Sequence, residues 1–186
     1  MKNLKTLLMA SFLTVGIFST MVYTSCNSDK CKDIVCQNGG TCNASDGSCN
    51  CAVGYEGTNC ETKSNAKFIN LAGWNVTEDG TTSNPANYDV VITPNASIAN
   101  GVYISNVWDV FTNTVNATVD GNTLTIARQQ PDNDGFYVEG SGTINTNLNP
   151  VTITVRYKVT DETALPLIIT DDFGLASGTP SVWTKK

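Results

Sequence analysis

The sequence predicts an all-β protein in two parts, a small disulfide-rich module followed by an antiparallel β-barrel of about eight strands. Three observations predict it. Six of the seven cysteines fall between residues 31 and 60. Beyond residue 65, Val, Ile, Tyr and Trp alternate with Thr, Asn and Asp at the period of two that a half-buried strand requires. Clusters of Gly, Asn and Asp separate these stretches at short intervals, the turn chemistry of a meander of short strands.

Composition narrows the function classes. The 186 residues include no histidine, so Ser-His-Asp and Cys-His catalysis and His-ligated zinc are excluded. With 11 Lys+Arg against 17 Asp+Glu the formal charge is -6. A nucleic-acid partner is therefore not expected, because there is no basic excess to neutralise phosphates.

The chain opens with Lys2 and Lys5 and an apolar run over residues 7–22. At 16 residues that run is short for a membrane-spanning helix and fits the core of a signal peptide. Thr24 and Ser25 then lead into Cys26. This order resembles the bacterial lipobox, with Tyr23 where Leu is usual, and is similar to the lipoboxes of Bacteroidetes lipoproteins. The resemblance implies that residues 1–25 are a signal peptide and that Cys26 carries the lipid, palmitate included. It also explains the odd seventh cysteine, since an unpaired thiol in an exported chain needs a role. Several acyl chains hold a protein on a bilayer where one would dissociate, each buried CH₂ contributing about 0.8 kcal/mol. Asn27, where an inner-membrane lipoprotein often has Asp, implies the outer membrane. Ser28-Asp29 is similar to an export signal of surface lipoproteins, and cell-surface exposure is the expectation.

The remaining cysteines, Cys31, Cys36, Cys42, Cys49, Cys51 and Cys60, permit 15 pairings, and their spacing alone chooses none. A metal cluster is disfavoured: Cys49 and Cys51 stand one residue apart, without the paired Cys-x₂-Cys knuckles of structural zinc sites. The stretch carries few large apolar residues, Ile34, Val35, Val53 and Tyr55, so it needs covalent staples to stay folded. Asn38-Gly39-Gly40-Thr41-Cys42 and Cys51-x-x-Gly54-Tyr55-x-Gly57-x-x-Cys60 resemble an EGF-like domain, placed at 27–61. The resemblance implies the pairs Cys31–Cys42, Cys36–Cys49 and Cys51–Cys60, a hairpin entered at Gly39-Gly40, and an exposed Tyr55. Calcium is not expected, because Lys30 stands where the calcium-binding variety has Glu or Gln and Ser48 precedes Cys49. No metal or other cofactor is expected elsewhere.

Residues 62–65 read as a polar linker and 66–186 as the barrel domain. Strands are expected around Trp74–Val76, Tyr88–Ile92, Val102–Ile104, Val115–Val119, Leu124–Ile126, Phe136–Ile144, Val151–Val159, Leu167–Ile169 and Val182-Trp183. Asp120-Gly121-Asn122 marks a tight hairpin. Short turns favour an up-and-down barrel, and an Ig-like sandwich is the alternative. Gly73-Trp74, Thr118-Val119-x-Gly121-Asn122-Thr123-Leu124 and Gly140-Ser141-Gly142-Thr143 together resemble small lipocalin-like (calycin-like) domains of Bacteroidetes lipoproteins.

Few constellations suggest chemistry. Asp132-Asn133-Asp134-Gly135 looks like part of a calcium loop but lacks its closing Glu, and a turn is the stronger reading. The doublets Asp161-Glu162 and Asp171-Asp172 read as solvated loop, since neighbours on a strand point to opposite faces and cannot flank one substrate. Trp74 reads as core. In Val107-Trp108-Asp109-Val110-Phe111 four apolar residues occupy five positions, which pushes some outward; Trp108, Phe111 and, in the module, Tyr55 are the candidate binding-surface aromatics, with core the leading reading of Trp108 as of Trp74. The leading functional expectation is a non-enzymatic, lipid-anchored envelope protein in which the EGF-like module is a stalk that presents the barrel as a binding or adhesion domain to a protein or glycan partner. A carrier of a small apolar ligand inside the barrel is the alternative. A carboxylate-dependent glycan hydrolase ranks last.

Overall fold

The computed structural model describes residues 29–163 and 168–186. Residues 1–25, Cys26 and Leu167 lie outside the described residues. The cysteine-rich module is built from two short antiparallel hairpins, β1 (Thr41–Cys42) with β2 (Cys49–Asn50), and β3 (Tyr55–Glu56) with β4 (Thr62–Lys63). Three disulfides join Cys31–Cys42, Cys36–Cys49 and Cys51–Cys60. With so little apolar volume, these bridges supply the stability a core would, typically about 2–4 kcal/mol each.

Two expectations for this region are corrected. Residues 62–65 are not a linker: Lys63 pairs with Tyr55, and Ser64–Lys67 forms a 3₁₀ turn in which Ser64 and Asn65 are buried. The Asn65 amide donates to the Gly101 carbonyl at 2.9 Å, so the polar composition serves internal hydrogen bonds rather than solvent. Tyr55 is half-buried, because it sits in the hairpin that turns toward the barrel.

The barrel strands are β5 (Asn70–Glu78), β6 (Ala86–Pro94), β7 (Gly101–Ser105), β8 (Val115–Asp120), β9 (Thr123–Gln129), β10 (Phe136–Asn145), β11 (Thr152–Asp161), β12 (Ile168–Phe173) and β13 (Ser181–Lys185). Sequential neighbours from β5 to β12 pair antiparallel. β13 then pairs with β5, from Val182 opposite Thr77 to Lys185 opposite Trp74, and closes the ring. β12 and β13 share one edge of β11, at Lys158 opposite Asp172 and Val155 opposite Ser181. They act as a single eighth staves-width of wall, interrupted by the loop 174–180. The result is a closed eight-stranded up-and-down barrel. Ring closure excludes the sandwich, which would leave two separate sheets.

Alternation decides what fills it. Trp74, Val76, Val90, Ile92, Val102, Ile104, Val115, Val119, Leu124, Ile153, Val155, Tyr157 and Trp183 are fully buried and pack as one cluster with Phe68, Phe111 and Phe173. Tyr157 and Phe173 stack with ring centroids 4.4 Å apart. At the module end, the Trp74 indole donates to the Phe68 carbonyl at 3.0 Å. The chain reaches this position through a bulge in which Gly73 takes φ +93°, a conformation a side chain would strain.

The two ends differ. One carries the module, the β6–β7 and β8–β9 turns and the C-terminus. Here Lys67 bridges Glu56 (2.8 Å) and Asn122 (2.9 Å), and a Cβ on Gly54 would lie 2.8 Å from that of Asn100. The opposite end carries the loops 79–85, 106–114, 130–135 and 174–180.

Candidate functional site

The loop-bearing end holds the protein's buried ionisable groups. Glu78, the last residue of β5, faces inward with 5% of its surface exposed. Its carboxylate accepts hydrogen bonds from the hydroxyls of Tyr88 (2.7 Å), Tyr157 (2.9 Å) and Ser181 (2.7 Å). Ser181 Oγ in turn accepts from the Trp183 indole at 2.8 Å. Burial pushes the Glu78 carboxyl above its ordinary range, the hydroxyl donors oppose that shift, and the nearby charge of Asp171 reinforces it. Tyr88 and Tyr157 are raised in turn, first by burial and then by neighbouring groups including Glu78.

Asp171 and Asp172 correct the reading of that doublet as solvated loop, since both are fully buried. A register shift lets them do this. Val159 pairs with Asp171 and Thr160 with Ile169, so Thr170 is an extra residue in β12 and strict alternation breaks there. Asp171 accepts from the Thr82 N–H (3.1 Å) and the Trp108 indole (3.3 Å). Burial alone would raise its carboxyl, but donors from Ser83, Thr82 and Trp108 outweigh this and hold it below the ordinary carboxylate range. Asp172 accepts from the N–H groups of Leu175 (2.8 Å) and Ala176 (3.1 Å), and its own N–H donates to Thr81 Oγ1. Asp171 therefore ties the loops 79–85 and 106–114 to the wall, and Asp172 ties the loop 174–180. Of the other doublet, Glu162 is exposed and pairs with Arg128, and Asp161 is half-buried.

Trp108 sits in a short 3₁₀ turn, Val107–Asp109, with φ +65°, and Asn106 and Asp109 are also left-handed. Such backbone costs on the order of 1–3 kcal/mol per residue unless surrounding contacts impose it. Here they do: the indole is held by Asp171 and packs on Phe111 (5.6 Å) and Phe136 (5.9 Å). Phe111 is 2% exposed, which corrects the expectation that it lies on a binding surface. The turn reverses the alternation, so Val107 and Phe111 go in and Val110, 55% exposed, takes the outward place. Asp132 behaves as a turn residue, its carboxylate accepting from the N–H groups of Thr112 and Asn113 at 2.8 Å each.

A second feature lies on the outer wall. β8 and β9 pair only from Asp120–Thr123 to Thr118–Thr125 and then part. Gln129 spans the gap with its side-chain amide. Its oxygen accepts from the Asn116 N–H at 2.8 Å, and its nitrogen donates to the Asn116 carbonyl at 2.7 Å, reproducing the ladder contacts that the backbone no longer makes. Over this parting runs an open groove of about 270 Å³, lined by Asn116, Thr118, Thr125, Ala127, Arg128 and Gln129 among others. Arg128 lies over the Tyr137 ring at 4.6 Å and pairs with Glu139 and Glu162.

The buried carboxylates at the loop end are hydrogen-bonded internally: Asp171 and Asp172 fasten loops, and Glu78 joins β5 to β6, β11 and β13. Among the described residues no group of three or more His, Cys, Asp or Glu is arranged to hold a metal ion. Tyr88 and Phe136 pack partly buried against the core, so most of the aromatics serve packing. Sequence reasoning missed Glu78 because a single acidic residue at a strand end carries no signal; the partners Tyr88, Tyr157 and Ser181 come from three separate strands. No known protein family, curated protein or solved structure matches the chain.

Proposed function

We propose that this protein is a non-enzymatic, lipid-anchored component of the bacterial outer membrane, displayed at the cell surface. In this reading Cys26 carries the lipid, an EGF-like module joins anchor to barrel, and the barrel presents its loops and outer wall to a protein or glycan partner. One observation carries the reading: the module and the loop-bearing end lie at opposite ends of the barrel. A chain tethered just ahead of the module presents those loops away from the tether. The exposed Asp109, Val110 and Leu175 stand at that end. The packed interior favours surface binding over carriage of a ligand inside the barrel, because the inward side chains already occupy that volume. The internal saturation of Glu78, Asp171 and Asp172 favours binding over hydrolysis.

Intact mass of the protein from its native membrane, combined with protease treatment of whole cells, tests this reading. The expected result is a chain beginning at an acylated Cys26 and cleaved on intact cells. A chain that retains residues 1–25, or one cleaved only after lysis, defeats it. A glycan array with the soluble domain then separates glycan from protein partners.

A further inference from the structure

We propose that the module-bearing end rests on the bilayer itself, with Val35 and Val53 of the module and Leu71 at the adjoining start of β5 seated among the lipid headgroups and the loop-bearing end turned outward. The inference deepens the proposed function and rests on the lipid being attached at Cys26.

Three observations carry it. First, these are the most exposed large apolar side chains described, at 77%, 75% and 74%. All three belong to the module or to the barrel strand that leaves it, whereas the apolar residues of the loop end are exposed by 55% or less. Second, the tether is short. Four residues stand between Cys26 and Cys31, the first bridged cysteine, and the five steps reach about 18 Å at most when fully extended. A lipid at Cys26 thus keeps the module at the headgroups rather than holding it clear of them. Third, charge is unevenly distributed. Residues 29–67 carry four lysines against five carboxylates, a net of -1. Residues 68–186 carry five cations against twelve carboxylates, a net of -7, and two of those cations, Lys185 at the end of the strand paired with β5 and Lys186 just after it, lie at the module end. An anionic headgroup surface therefore repels the barrel more strongly than it repels the nearly neutral module.

The seating is weak by itself, since three partly inserted aliphatic side chains bury little area. The anchor makes it effective by making the contact intramolecular. The consequence is orientation: the module acts as a foot that sets which way the barrel points, not as a flexible stalk. The contacts of Lys67 with Glu56 and Asn122, and of Gly54 with Asn100, transmit that orientation to the barrel.

The test uses the lipidated mature protein in vesicles of phosphatidylethanolamine and phosphatidylglycerol with brominated acyl chains. Val53→Trp and Val35→Trp place reporters on the foot, and Val110→Trp places one on the loop end; all three positions are exposed, and native tryptophan emission is subtracted. The two foot reporters are expected to shift to the blue and lose most of their added emission to bromine, while the loop reporter keeps its own. Intact mass of the same preparation separates the two claims. A chain without acyl mass overturns the anchoring reading. A lipidated chain whose foot reporters stay unquenched, or whose loop reporter is quenched as strongly, overturns the seating alone.

Discussion

Glu78 places an ionisable carboxyl inside a barrel of apolar side chains, where three hydroxyls hydrogen-bond it. Its folded pKa is raised above its unfolded value, so the stability it contributes is fully present below about pH 4.5 and is lost as pH rises through the folded pKa. Glu78→Gln removes the titration. The stability of the native protein relative to this variant is therefore expected to fall with rising pH across that window, at no more than about 1.4 kcal/mol per pH unit, as read by urea unfolding at several pH values. Asp171 runs the other way. Its lowered pKa contributes stability above its unfolded value near 3.8 that is lost as pH falls. Asp171→Ala is expected to cost about 1–3 kcal/mol, since it strands the Thr82 N–H and the Trp108 indole, and to shift the Trp108 emission to the red. Neither carboxylate was legible from the sequence as a buried group. Glu78 ends an ordinary alternating strand, and Asp171 depends on a bulge at Thr170 that no local pattern announces.

The strands themselves were legible, because alternation is a local property: among the described residues every expected run falls in a strand, with Val151 just ahead of β11. The Asp120-Gly121-Asn122 hairpin closes in two residues, with Gly121 at φ +52°. What alternation could not show is how a strand departs from regularity. Val107 to Phe111 reverses direction in a left-handed turn, which buries Phe111 against expectation. β8 and β9 separate, and Gln129 fills the gap. Gln129→Ala is expected to destabilise the barrel by about 0.5–1.5 kcal/mol, because water replaces the Gln129 amide on the exposed Asn116 N–H and carbonyl. Hydrogen exchange at Asn116 checks the mechanism and should rise more than at Thr118. Gly140 gives a second test of β10. A Cβ there would press on the Arg156 carbonyl and on Tyr157 across the strand pair, so Gly140→Ala is expected to lower the melting temperature markedly.

Taken whole, the molecule has two sources of stability that scarcely overlap. The module depends on three bridges, and the barrel on a cysteine-free core. Reduction is therefore expected to open residues 31–60 to protease while the emission of buried Trp74 and Trp183 stays unchanged, as limited proteolysis and fluorescence on one sample would show. A concerted loss of both would mean that the barrel needs the module in order to fold. By itself the sequence determined the all-β class, the cysteine-stapled stretch and the inward face of nearly every strand, because cysteine spacing, turn residues and period-two alternation are local quantities. Only the tertiary structure decided that β13 returns to β5 and closes the ring, that 62–65 is part of the packing, and that Glu78 and Asp171 are enclosed together. Those outcomes depend on register and on hydrogen bonds between residues 36 to 103 positions apart, where each partner's own neighbourhood contains no trace of the other.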